Sequence, residues 1–436
     1  MKKILLLIAL CAFGWHAQAQ QQEPIYCGFD VALQKLAEKH DGFQEQCTQQ
    51  HAFAVRESKA NRGKRNTVYE IPVVFHVVYN TPDQNVGDEV IEDQMVILNQ
   101  DYRRLNPNAI DTRDEFLPFA ADTELEFVLA TEDPEGNPTN GIIHYETDQE
   151  SFFFDILSQD EITIDDVKFS ETGGADAWDT DRYLNIWVCN ITASFGAQIF
   201  GFAYPPNGAA NWEGFFDVIP DEVEGVVVHY TAVGSNNPAG LDDNFSGNEG
   251  GRTLTHEVGH YLGLRHTWGD GFFNGCSVDD GISDTPNIEA SNNFTCTFNS
   301  NTCDEGAGDL PDQSENFMDY NQDDCFNMFT NEQKDVMRFN LETFRTELIE
   351  DQIVSVNTLE SSVLEIWPNP ANGVVQIELV DPAQVQVVDI SGRVVLDEKL
   401  NSGVSQLNVD LLSNGTYTVI CQNESITTTH KLIVQK

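Results

Sequence analysis

The chain of 436 residues carries 71 acidic against 23 basic side chains, for a formal charge of −48. That balance speaks against nucleic acid and anionic membranes as partners and suits cations, Ca²⁺ and basic peptides among them, or simply a solubilising surface on an exported protein. The length leaves room for two or three domains, each with a sizeable core.

At the N-terminus Lys2 and Lys3 precede an apolar run from Ile4 to Phe13 and then Ala17-Gln18-Ala19. This is the layout of a secretory signal at residues 1–19, cleaved after Ala19, and it predicts export. The run is too short to span a bilayer and no later run is long enough, so no transmembrane segment is expected. Cys11 precedes the cleavage site and lacks the small neighbour of a lipoprotein signal.

From Gln20 to Arg65 the chain is polar and lacks strand-like runs, with one amphipathic stretch, Val31 to Lys39, that predicts a helix. Residues 20–65 are expected to form a removable pro-segment. Its end gathers Arg56, Lys59, Arg62, Lys64 and Arg65 in a chain otherwise poor in bases, which predicts an exposed, cleavable linker.

At Val68 the pattern changes to a buried-strand run, Ile71 to Tyr79, followed by a helical pattern from Asp88 to Leu105. Further strands are expected at Leu125 to Ala130, Tyr183 to Asn190 and Gly225 to Thr231. Strands and helices thus mix as in an α/β (α+β) layer fold, in a domain placed at 66–352. His76 and His229 fall inside strands and are read as packed histidines.

Next comes Thr255-His256-Glu257-Val258-Gly259-His260-Tyr261-Leu262-Gly263-Leu264-Arg265-His266. On a helix His256 and His260 lie one turn apart on one face, so both can bind one Zn²⁺, and Glu257 beside them can take a proton from an attacking water. Gly263, without a Cβ, can end the helix and return the chain so that His266 becomes a third ligand. Three protein ligands leave one position open, the catalytic rather than the structural arrangement. The sequence reads as a zinc endopeptidase acting on proteins or peptides. The reading from another class is a zinc-stabilised surface adhesin, against which Glu257 speaks, since zinc binding alone needs no carboxylate there.

Gly269 to Asp312 is rich in Asp, Asn and Gly and shows little periodicity. Calcium and disulfides are the available staples: Asp279, Asp280, Asp284 and Thr285 offer hard oxygen ligands, and Cys276, Cys296, Cys303 and Cys325 form an even set whose pairing the spacing leaves open. A helix from Asn331 to Ile349 is expected to close the domain. From Leu359, short strand-like runs at Val363 to Trp367, Val374 to Leu379, Val385 to Asp389, Thr416 to Cys421 and Thr427 to Val434 predict a small all-β sandwich at 359–436, Ig-like in type.

The zinc helix, taken with Asn316-Phe317-Met318-Asp319-Tyr320, resembles the metzincin peptidases, in which a turn carrying a methionine lies beneath the metal; Met318 matches that Met-turn. The stretch His256 to Trp268, the Ser283-Asp284-Thr285-Pro286 segment and the Met318 region are similar to the pappalysin family, especially its ulilysin-like and cytophagalysin-like members. The resemblance runs over roughly residues 71–349 and implies a twisted mixed sheet above the zinc helix. It also implies that Tyr320 stabilises the oxyanion and that Asp324, beside Asp323, forms the base of the S1′ pocket and selects cuts N-terminal to Lys or Arg. It implies disulfides Cys276–Cys303 and Cys296–Cys325, and a calcium site around Asp280 and Thr285. Cys27-Gly28 is similar to cysteine-switch segments, in which a pro-region thiolate occupies the open zinc position; a Cys27–Cys47 disulfide competes with that reading. The C-terminal part looks like the sorting domain of type IX secretion cargo. It carries Trp367-Pro368-Asn369-Pro370, Asp389-Ile390-Ser391-Gly392-Arg393, Leu412-Ser413-Asn414-Gly415-Thr416-Tyr417 and the final Lys431 to Lys436. That likeness implies the type IX secretion machinery as partner and a secreted or cell-surface destination.

Overall fold

The computed structural model describes residues 27–61, 67–154, 163–194, 199–206, 219–240, 250–269, 275–291, 296–304, 306, 308–349, 363–379, 382–388, 393–422 and 427–436. The expected signal at 1–19, the bases Arg62, Lys64 and Arg65, and Asp389 to Gly392 lie outside the described residues. The chain divides into two compact units, Met1–Leu348 and Ile349–Lys436.

In the first unit the N-terminal segment forms two helices, α1 (Phe29–Lys39) and α2 (Phe43–Asn61). Helix α1 follows from its apolar face: Phe29, Val31, Ala32, Leu33 and Leu36 are all buried. Helix α2 is not announced by the sequence and runs into the stretch, Arg56 to Arg65, expected to be an exposed linker. Its first two turns are mostly Gln, Glu and Thr, but further on Ala54 and Val55 are buried and Phe53 packs edge-on against Phe339, ring centroids 5.7 Å apart, so tertiary contact supplies the stability that periodicity does not announce.

The sheet of this unit contains β1 (Tyr69–Tyr79), then, after helix α3 (Asp88–Tyr102) and the short β2 (Ala120–Ala121), β3 (Leu125–Leu129) and β4 (Ile142–Glu146). It continues, past β5 (Phe152–Phe154), with β6 (Leu184–Cys189) and, past β7 (Ile191–Ala193), with β8 (Gly201–Ala203) and β9 (Val226–His229). The strand order is β3-β1-β6-β9-β8, with β4 also paired to β1. Every pairing is parallel except β8 on β9, so the sheet is mixed and β8 is its antiparallel edge. Strand β6 is buried along its whole length, as expected for a run such as Leu184-Asn185-Ile186-Trp187-Val188-Cys189 covered on both faces. His76 is packed, as read: its ring stacks on Trp187 at 5.3 Å and its Nε2 meets Asn185 Oδ1 at 2.8 Å.

Helix α4 (Arg252–Tyr261) carries the histidine motif, and α3 fixes where it starts. Gln94 donates to Gly251 O at 2.9 Å and accepts from Gly234 N at 2.8 Å. Two turns on, Asp101 accepts from the Thr255 hydroxyl at 2.9 Å and pairs with Arg252 at 3.3 Å. The unit closes with β10 (Phe329–Thr330), paired to β2, and α5 (Asn331–Phe344), whose N-terminus is a capping box of Thr330 and Gln333. The predicted helix to residue 349 stops earlier; Thr346–Ile349 is a 3-10 turn.

The second unit is all β: β11 (Val363–Asn372), β12 (Val374–Leu379), β13 (Ala383–Val388), β14 (Val394–Leu400), β15 (Gly403–Asn408), β16 (Gly415–Gln422) and β17 (Thr427–Val434). Its hydrogen-bonded path is β14-β13-β16-β17-β11-β12-β15 around a core that includes Val375, Ile377, Val385, Val387, Val419 and Leu432. The sequence reading missed β14 and β15, in which Leu407 is the one buried side chain. Among the described residues no helix is long and apolar enough to cross a membrane.

Candidate metal centre and active site

Helix α4 ends where the sequence places its end. Gly263 adopts φ +90°, a left-handed conformation that favours a residue without Cβ, and the chain turns back so that His266 faces the helix. The Nε2 atoms of His256, His260 and His266 then lie 3.1, 3.1 and 3.3 Å apart. All three side chains are fully buried.

That triangle fits a tetrahedral cation. Nitrogens held about 2.0–2.1 Å from zinc stand roughly 3.3–3.4 Å from one another. The outer nitrogens fix the tautomers: His256 Nδ1 donates to Phe317 O at 2.7 Å and His260 Nδ1 to Leu264 O at 2.9 Å, which leaves the Nε2 lone pairs of both rings pointing inward. Burial, and then the neighbouring imidazoles, hold both rings well below the usual histidine range, so they are neutral and ready to donate. Lone pairs that converge in a dry site repel unless a cation lies between them.

Cys27 joins the cluster: its Sγ and the three imidazole nitrogens all lie within 4.8 Å of one another. The thiol donates to Glu257 Oε2 at 3.4 Å. Burial and the Glu257 carboxylate push that thiol up; a divalent cation among three imidazoles is the charge that would reverse the shift. Cys27 reaches this point because the chain there adds to the free edge of the sheet: it bridges Gly201 of β8 in parallel, with Gly28 N donating to Gly201 O at 2.9 Å. Cys27 and Cys47 are not joined in a disulfide. Phe29 seals the site, stacked on His260 with ring centroids 3.9 Å apart.

Beneath the metal point, Met318 is fully buried, and a Cβ at Gly259 would collide with its Sδ. The Met-turn is held by Asn316, which accepts from Met318 N at 2.9 Å and exchanges hydrogen bonds with the Gln333 amide of the α5 capping box at 2.9 and 3.0 Å. Tyr320 lies edge-on to His266 at 4.9 Å, and its hydroxyl donates to the carbonyl of Cys27 at 3.5 Å. Burial, first, pushes both the Tyr320 phenol and the Glu257 carboxyl above their ordinary ranges.

Asp324 is exposed, with its main-chain carbonyl accepting from Asn108 at 3.2 Å. Its neighbour Asp323 is the buried one. Burial, opposed by Arg252, raises it to about 7, and its carboxylate accepts from Arg252 N at 3.3 Å at the start of α4. Disulfides join Cys276 to Cys303 and Cys296 to Cys325. Asp280 is buried, and both its carboxylate oxygens accept from the Thr285 hydroxyl, at 2.8 and 2.9 Å. Helix α2 reaches this loop: His51 Nε2 meets Asp280 O at 2.6 Å, and Lys59 bonds Ser283 Oγ and Glu332, each at 2.9 Å. The structure brings together the histidines, Glu257 and Met318 that the sequence singles out; Phe29, Asp30 and Gly201, which it does not single out, reach the site by long-range placement.

Comparison with known proteins agrees with this geometry. The family model described as "Pregnancy-associated plasma protein-A" matches residues 169–342, and one described as "Secretion system C-terminal sorting domain" matches 365–435. The structure is similar to that of a promirolysin variant from Tannerella forsythia, with 35% identity and TM-score 0.61 over 74% of this chain and 97% of that one. It is also similar to mature mirolysin from the same organism in complex with a cleaved peptide, with 39% identity and TM-score 0.55 over 65% and 97%. An extracellular metalloprotease of Uncinocarpus reesii is 26% identical over 77% of this chain and 95% of its own length. The matches to extracellular metalloproteases of Colletotrichum graminicola and Verticillium alfalfae, 36% and 35% identical over 32% and 35% of this chain, span just under half of those proteins, 44% and 46%.

The first unit therefore has a mixed α/β, metzincin-like fold. The chain belongs to the pappalysin family of zinc metallopeptidases. Its sorting tail marks it as a secreted or cell-surface protein.

Proposed function

We propose that the protein is a secreted zinc metalloendopeptidase, made as a zymogen, that cuts peptide bonds on the N-terminal side of Lys or Arg. The observation that carries this reading is the meeting of Cys27, three imidazoles and Glu257 at one buried point. His256, His260 and His266 would hold the metal. Zinc, when bound, supplies Lewis-acid charge to a carbonyl and makes water more acidic. Glu257 takes a proton from the water that attacks the scissile carbonyl carbon, and passes it to the amide nitrogen as the C–N bond breaks. Tyr320 donates a hydrogen bond to the oxygen on which charge develops; its hydroxyl already donates to a main-chain carbonyl, that of Cys27. Products are a carboxylate and a free amine.

In this reading residues 20–65 are the leader, and Cys27 with its flanking main chain fills the place substrate would take beside β8. Asp324 selects the base after the cut, its exposed carboxylate free to meet a Lys or Arg side chain. The leader linker holds such bases, so self-trimming fits. Lys59 lies within α2 and is tied to Glu332. For Asp280 and Thr285 a calcium ion is proposed as a structural staple; it would replace the Thr285 hydroxyl as the partner of the Asp280 carboxylate, and a rise in melting temperature on calcium titration would support it. The tail is proposed to close as a small Ig-like sandwich, with β11 pairing β12 along its first part and β17 at Ala371, and to be read by the type IX machinery. The adhesin alternative finds no support among the relatives.

The test is alkylation of Cys27 in the purified leader-bearing chain. Zinc should protect the thiol, and Glu257→Ala should stop leader trimming without loss of zinc. A thiol equally reactive with zinc, or trimming that continues in Glu257→Ala, would overturn the zymogen reading.

A further inference from the structure

Two of the three imidazoles have their outer nitrogen held by the catalytic domain's own main chain, Phe317 O and Leu264 O. The third does not. His266 Nδ1 faces Asp30 Oδ2 of helix α1 at 3.3 Å, and neither the ring nitrogen nor the carboxylate has a hydrogen-bond partner elsewhere among the described residues. The Asp30 side chain is 3% exposed. A carboxylate so far from water is tolerated only where a donor or positive charge meets it. The ring it faces is clamped: Trp268 stacks on it at 4.4 Å and Phe29 lies edge-on at 5.9 Å, so its outer nitrogen has little freedom to turn toward another acceptor.

We propose that Asp30 is a positioning residue for the metal centre, supplying to His266 the outer acceptor that the domain itself supplies to His256 and His260. The proposal rests on the zymogen reading and extends it: the leader holds the metal twice, directly through the Cys27 thiol and indirectly through the Asp30 carboxylate acting on a ligand. A carboxylate behind a metal-bound histidine orients the ring and raises its basicity, and its loss weakens metal binding by about 10–100-fold. Leader release therefore does more than open the fourth position. It removes the acceptor of one ligand, so the mature enzyme should surrender zinc more readily than its precursor.

The experiment is zinc transfer to a chromogenic chelator from the full leader-bearing chain, in a Glu257→Gln background that prevents self-trimming. Four proteins are compared: the parent, Asp30→Asn, Cys27→Ser, and the double variant. Asp30→Asn should speed zinc release roughly tenfold or more, both with and without Cys27→Ser. Thermal unfolding of the zinc-free proteins accompanies it; a role confined to the metal leaves the melting temperature of Asp30→Asn at or above that of the parent. Equal release rates for parent and Asp30→Asn would overturn the proposal, and so would faster release matched by a lower zinc-free melting temperature, which marks a packing role. The Cys27→Ser comparison reads the zymogen proposal separately: unchanged release there counts against the thiol latch and leaves the Asp30 comparison to stand or fall on its own rates.

Discussion

Helices α1 and α2 hold the same N-terminal segment on the same unit by different physics. Helix α1 arrives with Cys27, Phe29 and Asp30, all buried, and touches the metal centre through a thiol, a ring stack and a carboxylate. Helix α2 ends with Lys59, 39% exposed, on Ser283 and Glu332, a polar handhold open to water and salt. The difference separates two jobs that the sequence merges in one leader. On the proposed zymogen reading, latency belongs to the first contact, and the second governs how readily the bond before Lys59 is reached.

The largest effect should come from Cys27→Ala. The leader-bearing chain should gain peptidase activity by on the order of 100-fold, because the position the reaction needs is no longer filled by a thiol. Steady-state cleavage of a basic peptide, measured before any leader is lost, checks it. Phe29→Ala should come next, weakening inhibition by a synthetic leader added to mature enzyme by about 2 kcal/mol, since a buried aromatic stacked at the centre of an interface is the kind of side chain that dominates binding; competition kinetics read the value. Trimming should spare the bond before Lys59 at first, because a cut there requires α2 to unwind and Lys59 to leave Glu332. A mass-spectrometric time course gives the order, and an initial cut at Lys59 would erase the contrast between the two helices.

The smallest effect should be Lys59→Ala, at most about 1 kcal/mol on leader docking, the range of a solvent-screened pair. Its pH dependence has a defined sign. Burial would raise Glu332, but hydrogen bonds from Ser283 and Lys59 more than reverse this and hold it at about 2, against an ordinary 4.5. A carboxylate depressed in the folded state contributes stability above its ordinary value and loses it as pH falls toward the lowered one. This tether should therefore be intact above about pH 4.5 and fail between there and about 2, with leader dissociation in acid, compared between wild type and Lys59→Ala, as the readout.

What could be read beforehand follows the range of the forces involved. His256, Glu257, His260 and Gly263 are fixed by one helix and one turn, so their spacing carries their geometry. Strands β1, β6 and β9 announce themselves as apolar runs because both faces are covered. Helix α2 gave no such signal: Gln44, Gln46, Gln49 and Gln50 show no apolar period, and the helix depends on its packing against α5. Strand β8 has three residues, too few for a period, yet its free edge receives Cys27. Asp30 is one acid in an amphipathic helix, and only the fold brings it to His266. Asp323 and Asp324 are adjacent acids in sequence; burial at the start of α4 distinguishes them, and no spacing rule does.

The most direct test of the peptidase reading is digestion of a mixed peptide library by the fully processed, zinc-loaded protein, with Glu257→Ala and a chelator as controls and mass spectrometry as readout. The account predicts cuts N-terminal to Lys and Arg that vanish in both controls while Glu257→Ala still binds zinc. Cuts that persist in Glu257→Ala, or no cuts at all from the loaded wild-type protein, would contradict it.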